Sequence, residues 1–333
     1  MDQVIDIRRG QDKVSRLILP LSWIICISLC GCNSDIDDTL LLEYGGIGTS
    51  YFPKFQRSLF CSFANFPSGY AIQSSAVIGK YWFGCGYECM EDGNYTNDHP
   101  FIIVCNLEKG EYITTLPLKA PGVRVPHCNV CCFGNEMLDD SPFPPLYISQ
   151  WNYNGERGVV VVKILNHNET FTCETIQTII PIIGDKERFG CGSTDWIVDT
   201  DQNYLYSLAY YQSGSSTIVE GNKECICVFD LPKIADGPII YLTDEDIVDS
   251  FDLEMFNFSQ DKCYYNGLIY VSSGFHAYPD WIMIRTINLN TKEVESVLNL
   301  SEWSGEPQGL AIYKDDILMN YGSRKQFLIH IIK

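Results

Sequence analysis

His127, Cys128, Cys131 and Cys132 fall within six residues, in HCNVCCFGNE (127–136). Imidazole and thiolate are the usual ligands of zinc, and a low-pKa cysteine is a redox centre or a nucleophile. Strand geometry argues against a metal. Side chains alternate across a strand, so His127, Asn129 and Cys131 share one face while Cys128 and Cys132 take the other. A tetrahedral site needs four ligands converging on one point, and no second Cys-x-x-Cys or histidine pair supplies the rest. Cys225-x-Cys227 falls in a different repeat. The cysteines therefore read as small apolar strand residues. No metal and no cofactor is expected, and His127 and Asn129 remain as the functional suspects.

Three glutamines recur at nearly one offset from the following turn: Gln73 in QSSAVIGK, Gln260 in QDKCYYNG and Gln308 in QGLAIYKDD. Together with His127, Asn129 and Glu306 they form the expected binding set. Glutamine offers both donors and acceptors to a polar ligand, although the same groups can bond neighbouring strands. Glu306 precedes Pro307, which holds it extended. Its carboxylate would anchor an amine or sugar hydroxyls, or raise the pKa of His127 if the two are close. Acid–base chemistry would instead need a pair drawn from His127, Asp195, Asp261 and Glu306. The chain carries no nucleophile elbow, phosphate loop or His-Glu-x-x-His. A non-catalytic binder is the first expectation and an enzyme, cyclotransferase-like or a glycan lyase or hydrolase, the alternative.

The elements that position these residues are short strands. Aromatic and β-branched runs separated by Gly, Asn and Asp dominate, and the one helical signal is TDEDIVDSF (243–251), where Thr243 can cap a turn or two. IGKYWFGCG (78–86), PPLYISQW (144–151), DQNYLYSLAY (201–210), NGLIYVSSG (266–274) and DDILMNYG (315–322) repeat a turn followed by a strand. Their anchors Trp82, Tyr147, Tyr206, Tyr270 and Met319 recur at intervals of about 50–65 residues. The hairpin IVCNLEKGEYITTL (103–116) aligns without gaps on RTINLNTKEVESVL (285–298), and 162–176 has the same shape.

Repeated four-stranded units of this length predict an all-β fold, a β-propeller with five blades, or six if residues 40–65 begin another. The inner strands would be roughly 69–77, 127–133, 194–199, 259–265 and 307–313, with the binding set at one mouth of the central channel. The last unit is one strand short. Residues 39–44 or 50–55 would complete it and close the ring, which removes an exposed sheet edge. Trp82, Trp151, Trp196, Trp281 and Trp303 would suit sugar stacking if exposed, but most are expected in the core.

Residues 1–31 read as an export signal: Arg8, Arg9, Lys13 and Arg16 precede the apolar run LILPLSWIICISLCGC, which is short for a membrane span. Residues 32–44 form an acidic tether and possible closing strand, and 45–333 the propeller domain. The mature chain would carry 19 basic and 39 acidic residues, which argues against a nucleic-acid partner. Twelve cysteines follow Cys32, and their spacing assigns no disulfide pairing.

Leu29-Cys30-Gly31-Cys32 resembles the lipobox of bacterial lipoproteins, which implies acylation of Cys32 and an outer-membrane lipid partner. The following NSDIDD resembles the surface-export signal of Bacteroidetes lipoproteins, which implies the exterior face of the outer membrane. HCNVCCFGNE…FPPLYISQWN, YNGLIYVSSG and EPQGLAIYKDDILMNYG resemble segments of Bacteroidetes propeller lipoproteins of the broad six-bladed TolB-like and NHL-like kind, over most of 45–333. That resemblance implies fold and surface location but no activity. The expected partners are then a polar small molecule, glycan or peptide, or another surface protein. A more distant likeness is to five-bladed glutamine cyclotransferases, whose inner strands carry Phe-x-Gln-Gly. Gln308-Gly309 matches that pattern, Glu306-Pro307 stands where the aromatic would be, and no catalytic residue carries over.

Overall fold

The computed structural model describes residues 47–48, 55–89, 95–118, 127–150, 157–190, 194–211, 223–254, 259–275, 278–300, 307–321 and 325–331. The signal segment, Cys32, the acidic tether, Trp151, Trp303 and Glu306 lie outside the described residues.

The described strands form five sheets, each built around an antiparallel run of consecutive strands. Two short N-terminal strands come first, β1 (Ile47–Gly48) and β2 (Phe55–Ser62). Blade 1 is β3 (Tyr70–Ile78), β4 (Tyr81–Cys89), β5 (Tyr95–Asn106) and β6 (Glu111–Pro117). Blade 2 is β7 (Cys131–Phe133), β8 (Leu146–Ser149), β9 (Val159–His167) and β10 (Thr170–Pro181). One helical turn, α1 (Lys186–Phe189), leads to blade 3, which begins β11 (Thr194–Asp199), β12 (Tyr204–Tyr210) and β13 (Lys223–Asp230). The chain then steps back. β14 (Ile239–Leu242) pairs in parallel with β10 of blade 2, and β15 (Ile247–Glu254) returns to complete blade 3 on β13. Blade 4 is β16 (Ser259–Tyr265), β17 (Leu268–Phe275), β18 (Tyr278–Asn288) and β19 (Glu293–Asn299), with β1 added on β19. Blade 5 is β20 (Gln308–Tyr313), β21 (Asp316–Tyr321) and β22 (Lys325–Ile331), with β2 as its outer strand.

The N-terminal closure is thus present, made by 55–62, whereas 39–44 and 50–54 lie outside the described residues. β2 fills the fifth sheet and does not start a sixth. The innermost strands β3, β7, β11, β16 and β20 touch in ring order, and β20 meets β3. β16 also touches β3 and β7 across the axis, so the centre is narrow.

Each pair of neighbouring blades encloses an apolar core. Phe83, Ile102, Leu146 and Val160 fill the space between blades 1 and 2, and Trp196, Phe229, Val161 and Phe189 that between 2 and 3. Ile197, Ile226, Val271 and Ile287 lie between 3 and 4, Tyr270, Ile284, Leu310 and Met319 between 4 and 5, and Leu318, Tyr313, Trp82 and Ile103 between 5 and 1. All five sequence anchors are buried second-strand residues.

The gapless hairpin match extends to atomic detail. Asn106 pairs with Glu111 and Asn288 with Glu293, and each hairpin has a bulge at the equivalent place, Val104/Cys105 and Thr286/Ile287. The asparagine carboxamides accept the same two turn N–H groups, of Glu108 and Lys109 in one hairpin and of Asn290 and Thr291 in the other. The predicted helix at 243–251 is corrected to one 3-10 turn, Asp244–Asp246. Asp246 accepts from the Thr243 N–H, and Ile247–Glu254 is strand because β13 supplies a ladder that an isolated amphipathic turn lacks.

Candidate functional site

The five blades start at the axis, so the inner strands all begin at one end of the ring, where the described members of the expected binding set fall; Glu306 lies outside the described residues. Three of these strands carry a β-bulge there: Ile72/Ser74 in β3, Ser259/Lys262 in β16 and Gln308/Leu310 in β20. Gln73 is the bulged residue of β3, Gln260 belongs to the bulge of β16, and Gln308 precedes bulged Gly309. The glutamine offset seen in the sequence therefore marks a shared backbone irregularity, the kind that re-aims side chains near sites. Gln73 is buried, and Gln260 donates from Nε2 to the Gly274 carbonyl of its own blade at 3.0 Å. Gly309 is bound to its place: φ is +67°, and a Cβ would lie 2.6 Å from Asn320 Cβ and 3.0 Å from Ser75 Oγ.

His127 and Asn129 do not head a strand, because β7 begins at Cys131. Cys128 has φ +54°, which breaks the alternation expected for an extended 127–133. Cys128 and Cys131 consequently enter the same apolar core between blades 1 and 2, while Cys132 packs toward blade 3. Burial pushes the Cys132 thiol up to about 12 and lifts Cys128 as well, so neither is a thiolate at neutral pH. His127 Nδ1 and Asn129 Oδ1 are 2.5 Å apart. An amide oxygen only accepts, so Nδ1 carries the proton and donates. The ring is 5.1 Å from that of Tyr87. Burial lowers the pKa of His127, against the pull of Asn129 and of the Asp195 charge. Among the described residues the carboxylate acting on His127 is Asp195, and the pKa of His127 moves down, not up.

Asp261 and Asp195 have different fates. Asp261 is fully buried in the β16 bulge and accepts three backbone N–H groups: Leu310 at 2.5 Å, Lys262 at 2.7 Å and Ser75 at 3.2 Å. It ties the inner strands of blades 4, 5 and 1 together. Burial holds its carboxyl well above the usual range, although these donors and Lys262 oppose the shift. Asp195 pairs across the blade 3–4 boundary: its Oδ2 accepts from Lys262 Nζ at 2.5 Å, and Lys262, with no exposed surface, also donates to Ser259 Oγ.

That pair is the inner end of a polar seam between blades 3 and 4. Tyr210, on the second strand of blade 3, bonds Ser259 and lies within electrostatic reach of both Glu224 and Asp195. Arg285, on the third strand of blade 4, reaches Ser273 Oγ at 3.4 Å and feels Glu254, Glu224 and Tyr210. Of the five blade boundaries, the described residues place such a run of charges only here.

Lys262, Tyr210, Glu224 and Arg285 were not anticipated. A signal was present in KECICVFD, where Glu224 alternates with Ile226 and Val228, and in RTINL, where Arg285 alternates with Ile287 and Leu289. A charge on the apolar face of an alternating strand must be buried and therefore paired. Trp82 and Trp196 are core residues, the latter donating from Nε1 to the Arg157 carbonyl at 2.6 Å. At the opposite end of the inner strands, an open cleft of about 510 Å³ lies beside Lys80, Glu108 and Lys314. None of the charged seam borders it.

No protein-family model matches the chain, and no curated protein does. Among solved structures the chain is similar to Myxococcus xanthus glutaminyl cyclase, with 12% identity and a TM-score of 0.45 over 82% of this chain and 95% of that one. It is also similar to the tail fiber of Staphylococcus aureus phage P68 (12%, TM-score 0.48, 83% of this chain and 52% of that chain). A third likeness is to the WD40 β-propeller domain of Doa1 (12%, TM-score 0.40, 91% and 78%). The β-propeller is defined by the five sheets and their ring, and likenesses this remote say nothing about activity.

Proposed function

We propose that this is a lipid-anchored, surface-exposed binding propeller of the outer membrane that holds a polar ligand at the mouth where the inner strands begin, without turning it over. The observation that carries the reading is the convergence at that mouth of His127, Asn129 and the buried Asp195–Lys262 pair, beside inner strands bulged at Gln73, Gln260 and Gly309. Buried charged and polar groups at the end of a narrow axis are costly for stability alone, and they are what orients a ligand in a mostly apolar scaffold. The non-catalytic part of the proposal draws support from Asp261, an acid–base candidate whose carboxylate is committed to three backbone donors.

The test is a binding screen on the purified full-length protein in detergent, with neutral disaccharides, glycylglycine and spermidine. At least one class should bind, and His127→Ala or Asn129→Ala should weaken it at least tenfold. Binding that both variants leave untouched, or turnover of the bound molecule, overturns the reading. The anchor is tested apart from the site: Cys32→Ser should leave the membrane fraction, and retention there would refute lipidation.

A further inference from the structure

β14 covers the edge of β10 and so becomes the outer edge of blade 2 itself; among the described residues no strand pairs with its far side. In a parallel ladder successive residues turn their N–H and C=O groups to opposite sides. The Pro238 and Leu242 carbonyls accept from the Thr178 and Ile182 N–H groups, so residues 238, 240 and 242 face β10. Ile239 and Tyr241 therefore turn both backbone groups outward. Their side chains are bare as well. Ile239 is 54% and Tyr241 57% exposed, while Leu242 enters the core between blades 2 and 3 and Ile240 packs against it. Exposed Ile182 extends the same apolar face on the neighbouring strand. Edge strands are commonly guarded by charge, proline or a bulge. β15, the outer strand of blade 3, carries Asp249, Asp252 and Glu254 and is bulged against β13. β14 reads Ile-Ile-Tyr-Leu and pairs with β10 without a bulge. It is also pinned at both ends. Gln177 Nε2 donates to the Lys233 and Gly237 carbonyls before it, each at 2.9 Å. Asp244, after it, accepts from the Gly184 and Asp185 N–H groups at 3.0 and 2.9 Å. A strand fixed in advance loses little entropy when another is laid beside it.

We propose that the outer edge of β14 docks an extended, positively charged segment of a partner protein, which joins blade 2 as a sixth, antiparallel strand. Ile239 and Tyr241 would each exchange two backbone hydrogen bonds with residues two apart on that segment. Their side chains favour β-branched or aromatic residues opposite them. The sign of the partner follows from the flanks. Residues 233–246 carry Asp236, Asp244, Glu245 and Asp246 against Lys233 alone, and the whole chain has a net charge of −19. Asp244, Glu245 and Asp246 are exposed just past the end of β14. An antiparallel segment meets them with its N-terminal end, so its lysines or arginines belong there. A second copy of this chain fits poorly, because antiparallel pairing of β14 with itself brings Asp236 of one copy toward Asp244 of the other. The edge lies on the outer rim, so the proposal does not depend on the reading of the mouth.

The experiment titrates the full-length protein in detergent with the capped peptide Lys-Lys-Thr-Val-Thr-Val-Thr and its isoleucine and tyrosine counterparts, and follows amide hydrogen exchange. In the free protein the Ile240 and Leu242 amides should be protected, and those of Ile239 and Tyr241 should exchange fast. At least one peptide should bind and slow exchange at Ile239 and Tyr241 by roughly tenfold or more. Glu-Glu in place of Lys-Lys, or N-methylation of the two valines, should weaken binding by roughly tenfold or more. Tyr241→Pro removes an outward N–H and leaves the β10 ladder intact, so it should abolish binding. The double variant Ile239→Lys/Tyr241→Lys, which guards the edge with like charge, decides if the proline variant does not fold. Silence of every peptide, equal binding of the lysine and glutamate series, or unchanged exchange at Ile239 and Tyr241 on binding overturns the proposal. Protection of those two amides in the free monomer assigns the edge to a segment of the same chain. A concentration-dependent dimer that Tyr241→Pro dissolves assigns it to a second copy. Either result also overturns the proposal.

Discussion

Two residues at the axis show how a single side chain sets the properties of the mouth. The inner edge of each first strand presents N–H groups with no further strand to receive them. Asp261 receives two of these, from Ser75 and Leu310, as well as that of Lys262. Asp261→Ala would leave three buried donors unmet, and the expected cost is about 4 kcal/mol. Asp261→Asn should fall between, since its carbonyl still accepts while its amide hydrogens face an N–H; the urea midpoints of the three proteins provide the ranking. His127 predicts a pH effect. Its pKa is lower in the folded protein than in the unfolded chain, so its contribution to stability is complete above about pH 6.5. As pH falls through the lowered native value that contribution is lost, because the unfolded chain takes up the proton first. Melting temperatures from pH 7.5 to 5 should thus fall more steeply for the wild type than for His127→Asn, and parallel curves would contradict this.

At the scale of elements, turns and bulges do the positioning. Two-residue hairpins with positive φ at both residues match the twist of the flanking strands, and Asn and Gly take that conformation most readily. Asn266-Gly267 conforms, with φ of 51° and 76°. The equivalent turn of blade 5 is Lys314-Asp315, with φ of 50° and 69°. Asp315 is held there by a hydrogen bond from the Tyr265 hydroxyl of blade 4. The Lys314 ammonium lies 4.9 Å from the Tyr313 ring centre and also interacts with the Tyr313 side chain and the Glu108 charge. Lys314→Asn is expected to stabilise the protein by about 0.5–1 kcal/mol, read as a rise in denaturation midpoint with unchanged slope. The bulges act in the opposite sense, trading ladder regularity for aim: the β16 bulge is what turns Asp261 toward blades 5 and 1.

For the whole molecule the decisive feature is closure. β2 is the outer strand of the sheet that the C-terminal strands begin, so the two ends of the chain are stitched into one blade. A deletion of 33–62 removes that strand and should lower the stability of the entire ring in one transition. Among the described residues a deletion of 33–48 removes only β1, from the edge of β19, and it should cost much less. Equal melting temperatures for the two truncated proteins would show that β2 does not close the ring. β14 works on the same scale. A segment between two strands of blade 3 covers the edge of blade 2, protecting an edge that would otherwise be open to pairing.

The sequence by itself determined the blade. Strand periodicity, turn residues and hairpin asparagines act over a few neighbours, so Trp82, Tyr147, Tyr206, Tyr270 and Met319 mark buried second strands without reference to the rest of the chain. It determined the need for an N-terminal closing strand through the missing strand of the last repeat. Which strand closes depended on pairing with β22, a contact between the chain's ends. Only the tertiary structure decided the site. Asp195 and Lys262 are 67 residues apart and meet because blades 3 and 4 pack face to face. Cys128 and Cys131 share a core because one residue with positive φ reverses the expected alternation. The glutamine offset was legible, but its cause, a bulge in the inner strand, exists only where a strand has a partner to fall out of register with. Charge pairing and burial depend on distances between blades, and no local pattern in the chain encodes those distances.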